Sequence, residues 1–394
     1  MAYNRETDPE MLLVVAGMDL KAKRFADARR AYSAVLQLRP NDADVLYRLG
    51  VTEVELGRID VGLSLIERAI VAKPAQADFN FGLAVAYARL NRFADALRAS
   101  GRAVALAPEN AEALGTVVAI GLASVKSGER FDTAPTAADE KDSRSISVVV
   151  CSREEQKGRR IRAQYEALLA GREFEIIQIY DARSLCEAYN RGFARTSGDV
   201  VIFSHDDIEI ISENFATRLL RHLSSKDVVG VVGTSRLAGT SWIAAGWPQL
   251  HGCILHRNPR GVGFVFDCYG PRPSTPIQAI DGVLIAVNRS VCESIRFDEA
   301  TFDGFHFYDL DFSHRAYLEG FHIGVAWDIL LLHDSIGRSD KNWEKYATSF
   351  LAKHGSRMTP ATGSPRDTWP SIALADQAQA VALHRSMVFA QDIR

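Results

Sequence analysis

Apolar and small positions in the first third of the chain recur with a fixed interval of 34 residues. Phe25, Ile59 and Phe93 keep that spacing, and so do Pro40, Pro74 and Pro108. Small residues repeat in the same register at Ala16, Gly50 and Ala84, and again at Ala28, Gly62 and Ala96. Val15, Leu49 and Leu83 precede the first set. Small side chains let two helix backbones approach closely. A proline ends a helix, because it has no N–H and its ring clashes with the preceding turn. Each period therefore predicts two helices, a short turn between them and a proline after the second. Residues 109–127, with Leu114, Val117, Val118 and Ile120, predict one more helix that caps the stack.

This period, with its small and apolar positions, resembles the tetratricopeptide repeat. Residues 1–127 are expected to form such an all-α solenoid. The pattern stops near Ser127. Residues 128–144 are mostly Gly, Ser, Thr, Pro, Ala and charged residues, the composition of a linker. A different pattern starts at Ile146. Ile146 to Cys151 reads as a strand buried on both faces. A helical stretch with Ile161, Tyr165, Leu168 and Leu169 follows, then a strand over Phe174 to Tyr180. A helix from about Ser184 to Arg195 comes next, then a strand over Val200 to Phe203. Strands alternating with helices predict an α/β domain over 145–355 with a doubly wound, mostly parallel sheet. Ligands of such sheets bind beyond the carboxyl ends of the strands. The tail, 356–394, is broken by Pro360, Gly363 and Pro365. A helix is expected from about Pro370 to Phe389, packing on either domain or supporting a dimer.

Composition narrows the setting. The 394 residues carry a net charge of −3, which gives no bulk attraction to nucleic acid or to an anionic membrane. No stretch reaches the ~20 apolar residues of a transmembrane helix. The polar start, Met1 to Glu10, lacks the pattern of a signal peptide. Cys151, Cys186, Cys253, Cys268 and Cys292 are odd in number and widely spaced. They read as free thiols in a reducing compartment, and a cytoplasmic location is expected.

The strand over Val200 to Phe203 ends in Ser204-His205-Asp206-Asp207. Adjacent carboxylates repel unless a cation lies between them, and Mg²⁺ and Mn²⁺ accept one or two carboxylates together with substrate phosphates. Acidic strand ends also serve as solvated turns or helix caps. The rest of the domain weighs in favour of chemistry. Ser147 to Ser152, Ser184 to Gly192, Gly198 to Asp207, Asp281 to Leu284 and the block from Arg296 to Gly337 occur in an order that resembles family 2-like glycosyltransferases. Those proteins have the GT-A fold, a Rossmann-like arrangement, and the resemblance is strongest to a bacterial subgroup.

That resemblance implies a metal-dependent transfer of sugar from a nucleotide-sugar donor to a hydroxyl acceptor on a glycan, a lipid-linked glycan or a protein. The outcome would be inverting, with Mn²⁺ or Mg²⁺ as cofactor. It assigns Asp207 and His333 to the metal and Asp309 to the catalytic base. It assigns Cys151, Ser152, Arg153, Asp181, Arg183, Asn190, His205 and Asp206 to the donor. Trp242 and Trp247 would stack on sugar if their indoles are exposed, with ordinary packing as the alternative, and Asp311 would stand on the acceptor side or replace Asp309 as base. The sequence departs from the broad pattern at two places: histidine replaces an aspartate at His205, and tyrosine replaces a glutamate at Tyr308. These departures keep open a different reading, an interaction scaffold with a degenerate transferase domain. The repeats are expected to recruit an acceptor or protein partner, or to mediate self-association.

Overall fold

The computed structural model describes residues 8–135, 141–335, 341–359 and 369–392. The chain forms two compact units. One runs to Asp132 and also includes the segment from Ser386; the other runs from Thr133 to Arg385. Among the described residues, no helix is long and apolar enough to cross a membrane.

The first unit is a run of helices: α1 (Pro9–Lys21), α2 (Phe25–Leu38), α3 (Ala43–Glu55), α4 (Ile59–Ala72), α5 (Ala77–Arg89), α6 (Phe93–Leu106) and α7 (Ala111–Lys126). The periodic residues explain the packing. Gly50 and Gly62 meet where α3 crosses α4. A Cβ on Gly50 would lie 2.9 Å from the Gly62 carbonyl, and one on Gly62 would lie 2.6 Å from the Gly50 carbonyl. Ala16, Ala28, Ala84 and Ala96, at the equivalent positions, are fully buried. The turn inside each helix pair contains a left-handed residue at the same interval: Lys23, Gly57 and Asn91. Pro40, Pro74 and Pro108 each fall two residues past the end of α2, α4 and α6. Asp42 caps α3, and Asn110 caps α7, each accepting two backbone N–H groups.

The second unit has two sheets. The strands are β1 (Ile146–Cys151), β2 (Phe174–Ile179), β3 (Val200–Ser204), β4 (Ile208–Ile210), β5 (Val228–Gly230), β6 (Val232–Thr234), β7 (Leu250–Arg257), β8 (Phe264–Gly270), β9 (Ala279–Ile280), β10 (Leu284–Asn288), β11 (Ile323–Val325), β12 (Leu331–His333) and β13 (Ser371–Leu374). The first sheet has the order β11-β5-β10-β3-β1-β2. β1 runs parallel to β2 and β3, while β10 is antiparallel to both its neighbours. The second sheet, β13-β8-β7-β12-β4 with β6 and β9 attached, is mostly antiparallel and was not legible as a separate layer. The helices are α8 (Glu155–Leu168), α9 (Leu185–Phe193), α10 (Phe215–Leu223), α11 (Arg289–Ser294), α12 (Tyr308–Leu318), α13 (Lys341–His354) and α14 (Gln377–Gln391).

Two stretches differ from expectation. The helix expected from Pro370 is a strand first: Ser371–Leu374 pairs antiparallel with Phe264–Asp267 of β8. The open edge of β8 supplies backbone partners there, and Asp376 accepts the Gln379 N–H where α14 begins. The described part of the expected linker is also anchored. Phe131 is buried against Phe389 in the first unit, and Arg144 pairs with Asp142 and Asn288 in the second. Residues 136–140 of that linker, the end of the Arg296–Gly337 block, and Pro360, Gly363 and Pro365 lie outside the described residues.

Candidate active site

The β3 strand lies between β1 and β10, so its carboxyl end emerges from the middle of the first sheet. His205, Asp206 and Asp207 occupy the turn that leads from it into β4. β12 pairs antiparallel with β4, with His333 opposite Ile208, and this brings His333 beside Asp207. The Asp334 N–H donates to the Asp207 carbonyl at 2.9 Å and locks that register.

Both imidazoles converge on one carboxylate oxygen. His205 Nδ1 is 3.6 Å and His333 Nε2 3.5 Å from Asp207 Oδ1. The three ligand atoms lie within 4.8 Å of one another, and all three side chains are partly buried. Burial acts against charge on Asp207, yet the His205 and His333 hydrogen bonds outweigh it and hold the carboxyl far below its usual range. Burial also lowers the basicity of His205, but Asp207 reverses the balance and raises it. Two imidazoles with one carboxylate suit a first-row divalent ion such as Mn²⁺ better than Mg²⁺. The residues therefore fit a metal, with His205 as an additional ligand candidate.

The Tyr308 hydroxyl lies 2.5 Å from His205 Nε2. Burial raises its pKa well above the ordinary phenol value, so it keeps its proton. Asp309 follows in the first turn of α12. Its Oδ2 accepts the Gly282 N–H at 2.9 Å. Burial first, and the neighbouring Asp281 second, push its pKa up to about 7. Asp281 is itself held by the Trp242 indole N–H at 2.8 Å and the Val283 N–H at 2.9 Å.

Around this centre the expected donor residues divide. The Ser152 hydroxyl donates to Asp206 Oδ2 at 2.6 Å, joining the end of β1 to the β3 turn. Arg153 is exposed, with its guanidinium over the Phe305 ring at 5.5 Å. Asp181 and Arg183 are exposed beyond β2, and Asp181 pairs with Arg191 at 2.5 Å. Cys151 is buried, which pushes its thiol up to about 11 and makes it inert. Asn190 is occupied structurally: its amide donates to the Phe297 carbonyl and accepts the Phe297 N–H.

Three expectations need correction. Trp242 and Trp247 are each only 8% exposed, so neither presents an open face to a sugar. Trp242 packs edge-on against Tyr269 because its N–H is drawn to Asp281. Asp311 is fully buried, with Arg315, Lys353 and His354 at 2.6–2.8 Å; it fastens α12 to α13 and has no open edge for an acceptor.

Sequence reasoning gave no role to Asp281, although Asp281-Gly282 stood in a matching segment. It also passed over Arg160 and Arg257. Both bind Asp334, at 3.0 and 2.7 Å, immediately beyond His333. One carboxylate between two exposed guanidiniums leaves a net positive charge beside the candidate metal ligands. No sequence signal marks that pair, because its members are distant in the chain.

Comparison with known proteins adds a family. A model described as glycosyltransferase like family matches residues 147–354, more than half of the chain. A tetratricopeptide repeat model matches residues 19–60 and 49–111, so the N-terminal helices are tetratricopeptide repeats. Among solved structures, one titled "Crystal structure of MamA" is 21% identical, with a TM-score of 0.29, covering 31% of this chain and 70% of its own. MamA 41-end from Desulfovibrio magneticus RS-1 is 25% identical, with a TM-score of 0.29 and coverages of 32% and 70%. The Arabidopsis OM64 TPR domain is 17% identical, with a TM-score of 0.28 and coverages of 28% and 93%. No curated protein matches the chain.

Proposed function

The chain belongs to the glycosyltransferase-like family, and on that footing we propose that its second unit transfers a sugar from a nucleotide-sugar donor to a hydroxyl acceptor, with inversion. The observation that carries this reading is the convergence of His205, Asp207 and His333 at strand ends, with Asp309 beyond Tyr308. His205, Asp207 and His333 would hold a divalent ion such as Mn²⁺. Bound there, it would neutralise charge developing on the leaving diphosphate.

The chain's own groups divide the remaining work. Arg160 and Arg257 offer guanidinium N–H groups to phosphate oxygens, in exchange for part of their hold on Asp334. Ser152 and Asp206 form the floor on which the donor's ribose and phosphates rest. Asp309 takes the proton from the acceptor hydroxyl as that oxygen attacks the anomeric carbon. Its Oδ2 is fixed by Gly282, which aims the carboxylate. The repeats recruit an acceptor or a partner by raising its local concentration.

The test is donor hydrolysis and transfer across a panel of nucleotide sugars with Mn²⁺, in the wild type and Asp207→Asn. Turnover is expected with at least one donor, to be lost in excess EDTA and in the variant. Full turnover in EDTA would remove the metal from the mechanism. Absence of turnover with every donor would favour the scaffold reading.

A further inference from the structure

The turn between β9 and β10 does more than connect two strands. Gly282 and Val283 present two backbone N–H groups to two carboxylates, those of Asp309 and Asp281. The Val283 N–H goes to Asp281 Oδ1, and the Gly282 N–H goes to Asp309 Oδ2. The second oxygen of Asp281 receives the Trp242 indole N–H. Asp281 therefore has a donor on each oxygen, whereas Asp309 has a backbone donor on Oδ2. Gly282 makes the approach possible. A Cβ there would lie 2.7 Å from the Asp309 Cβ and 2.1 Å from the Tyr308 hydroxyl.

We propose that Asp281 is a positioning residue that sets the basicity of Asp309, and that Trp242 fixes Asp281 for that task. The idea rests on the reading of Asp309 as the base. An ionised carboxylate beside a second one disfavours its ionisation, so the second holds a proton more tightly and is a stronger base once ionised. The other titratable groups around Asp309 do not supply this push. Tyr308 on its own helix, and Tyr189 and Cys186 on α9, all have pKa values raised by burial, so each remains neutral. His205, at the end of β3, acts in the opposite sense and favours Asp309 ionisation. Asp281 is the neighbouring carboxylate, and its push on Asp309 is second only to burial.

The experiment reads the Asp309 carboxyl directly, without substrate. Infrared difference titration of metal-free protein, with Asp309→Asn as the blank, gives its midpoint. Asp281→Asn preserves shape and removes charge; the midpoint is expected to fall by about one pH unit or more. Asp281→Glu, which retains the charge, is expected to keep it high. Trp242→Phe removes one donor from Asp281 while keeping an aromatic ring. Asp281 then loses part of its fixed placement, and the Asp309 midpoint is expected to fall part of the way towards that of Asp281→Asn. In turnover, the acidic limb of kcat should move down with the Asp281→Asn midpoint, with donor KM unchanged. An unchanged midpoint in Asp281→Asn overturns the proposal, and so does an equal fall in Asp281→Glu. A shifted midpoint in a protein that transfers no sugar would leave this coupling standing and defeat only the role of Asp309 as base.

Discussion

His205 and Tyr308 stand where the broad family pattern has two acidic residues, and the structure places them against each other at 2.5 Å. Their departures are one change rather than two: an imidazole that faces Asp207, and a phenol that orients it. Removing the phenol should therefore loosen the metal ligands. Tyr308→Phe is expected to weaken Mn²⁺ binding by about tenfold, as loss of an outer partner does, and calorimetric titration would read it. Wild-type affinity in that variant would make the contact incidental. Asp309 carries a pH consequence. In the proposed role of base it must be ionised to accept a proton, and burial beside Asp281 pushes its pKa up to about 7, so kcat should rise as pH increases through that value. Linkage has the opposite sign. The folded state prefers the protonated form, so the stabilisation from this group is full below about 4 and is lost as pH rises through 7. Thermal melts of wild type and Asp309→Asn across that window should converge at the acid end. The places of Asp207, Asp309 and His333 at strand ends and at a helix start were legible because each sits in an apolar or patterned context. The orientation of Trp242 was not, because the hydrogen bond that draws it inward comes from Asp281, 39 residues away.

At the level of elements, His333 reaches Asp207 only because β12 lies between β7 and β4 in the second sheet. That sheet was hard to read, since its outer members are strands of three or four residues, too short for an alternation to stand out. Its edge strand β13 and the first part of α14 come from the tail. Gln377 donates to Glu209 of β4, and His384 Nε2 lies 3.1 Å from the Trp327 carbonyl ahead of β12. Ending the chain after Thr359 should thus lower the melting temperature and weaken metal binding together, although no ligand is removed. Unaltered metal affinity in the truncated protein would show that the tail does not support the site. A second tie works through charge. Asp328, ahead of β12, is buried among Arg218, Arg221 and His222 of α10. Burial opposes its charge, but these cations dominate and hold its pKa far below the usual carboxylate value. Its contribution is present above about 4 and is lost as pH falls below that value. Asp328→Asn should remove much of the acid sensitivity of unfolding while lowering stability at neutral pH, as chevron or melting data at pH 4 and 7 would show.

For the whole molecule, the 34-residue period made the first unit readable, because a repeat announces its own geometry. Its membership was less visible. The segment from Ser386 belongs to it: Phe389 packs on Phe131, and Arg98 lies over the Phe389 ring at 4.7 Å. Gly101 lets that segment in, since a Cβ there would sit 1.7 Å from the Ala390 carbonyl. Gly101→Val should therefore destabilise the full chain but leave an isolated 1–132 fragment no less stable, because valine is a better helix former than glycine. Equal destabilisation of both would place the strain elsewhere. The order in which a ribosome makes these parts then acquires a meaning. The repeats leave the exit tunnel before the second unit but lack the segment from Ser386 until that unit has been made. During synthesis the surface around Gly101 and Phe131 remains uncovered for the time needed to add more than 250 residues. A chain still in synthesis is thus distinguishable from a released one by what lies bare on the repeat helices, and a premature stop codon ahead of Ser386 would leave its mark on helices translated long before it.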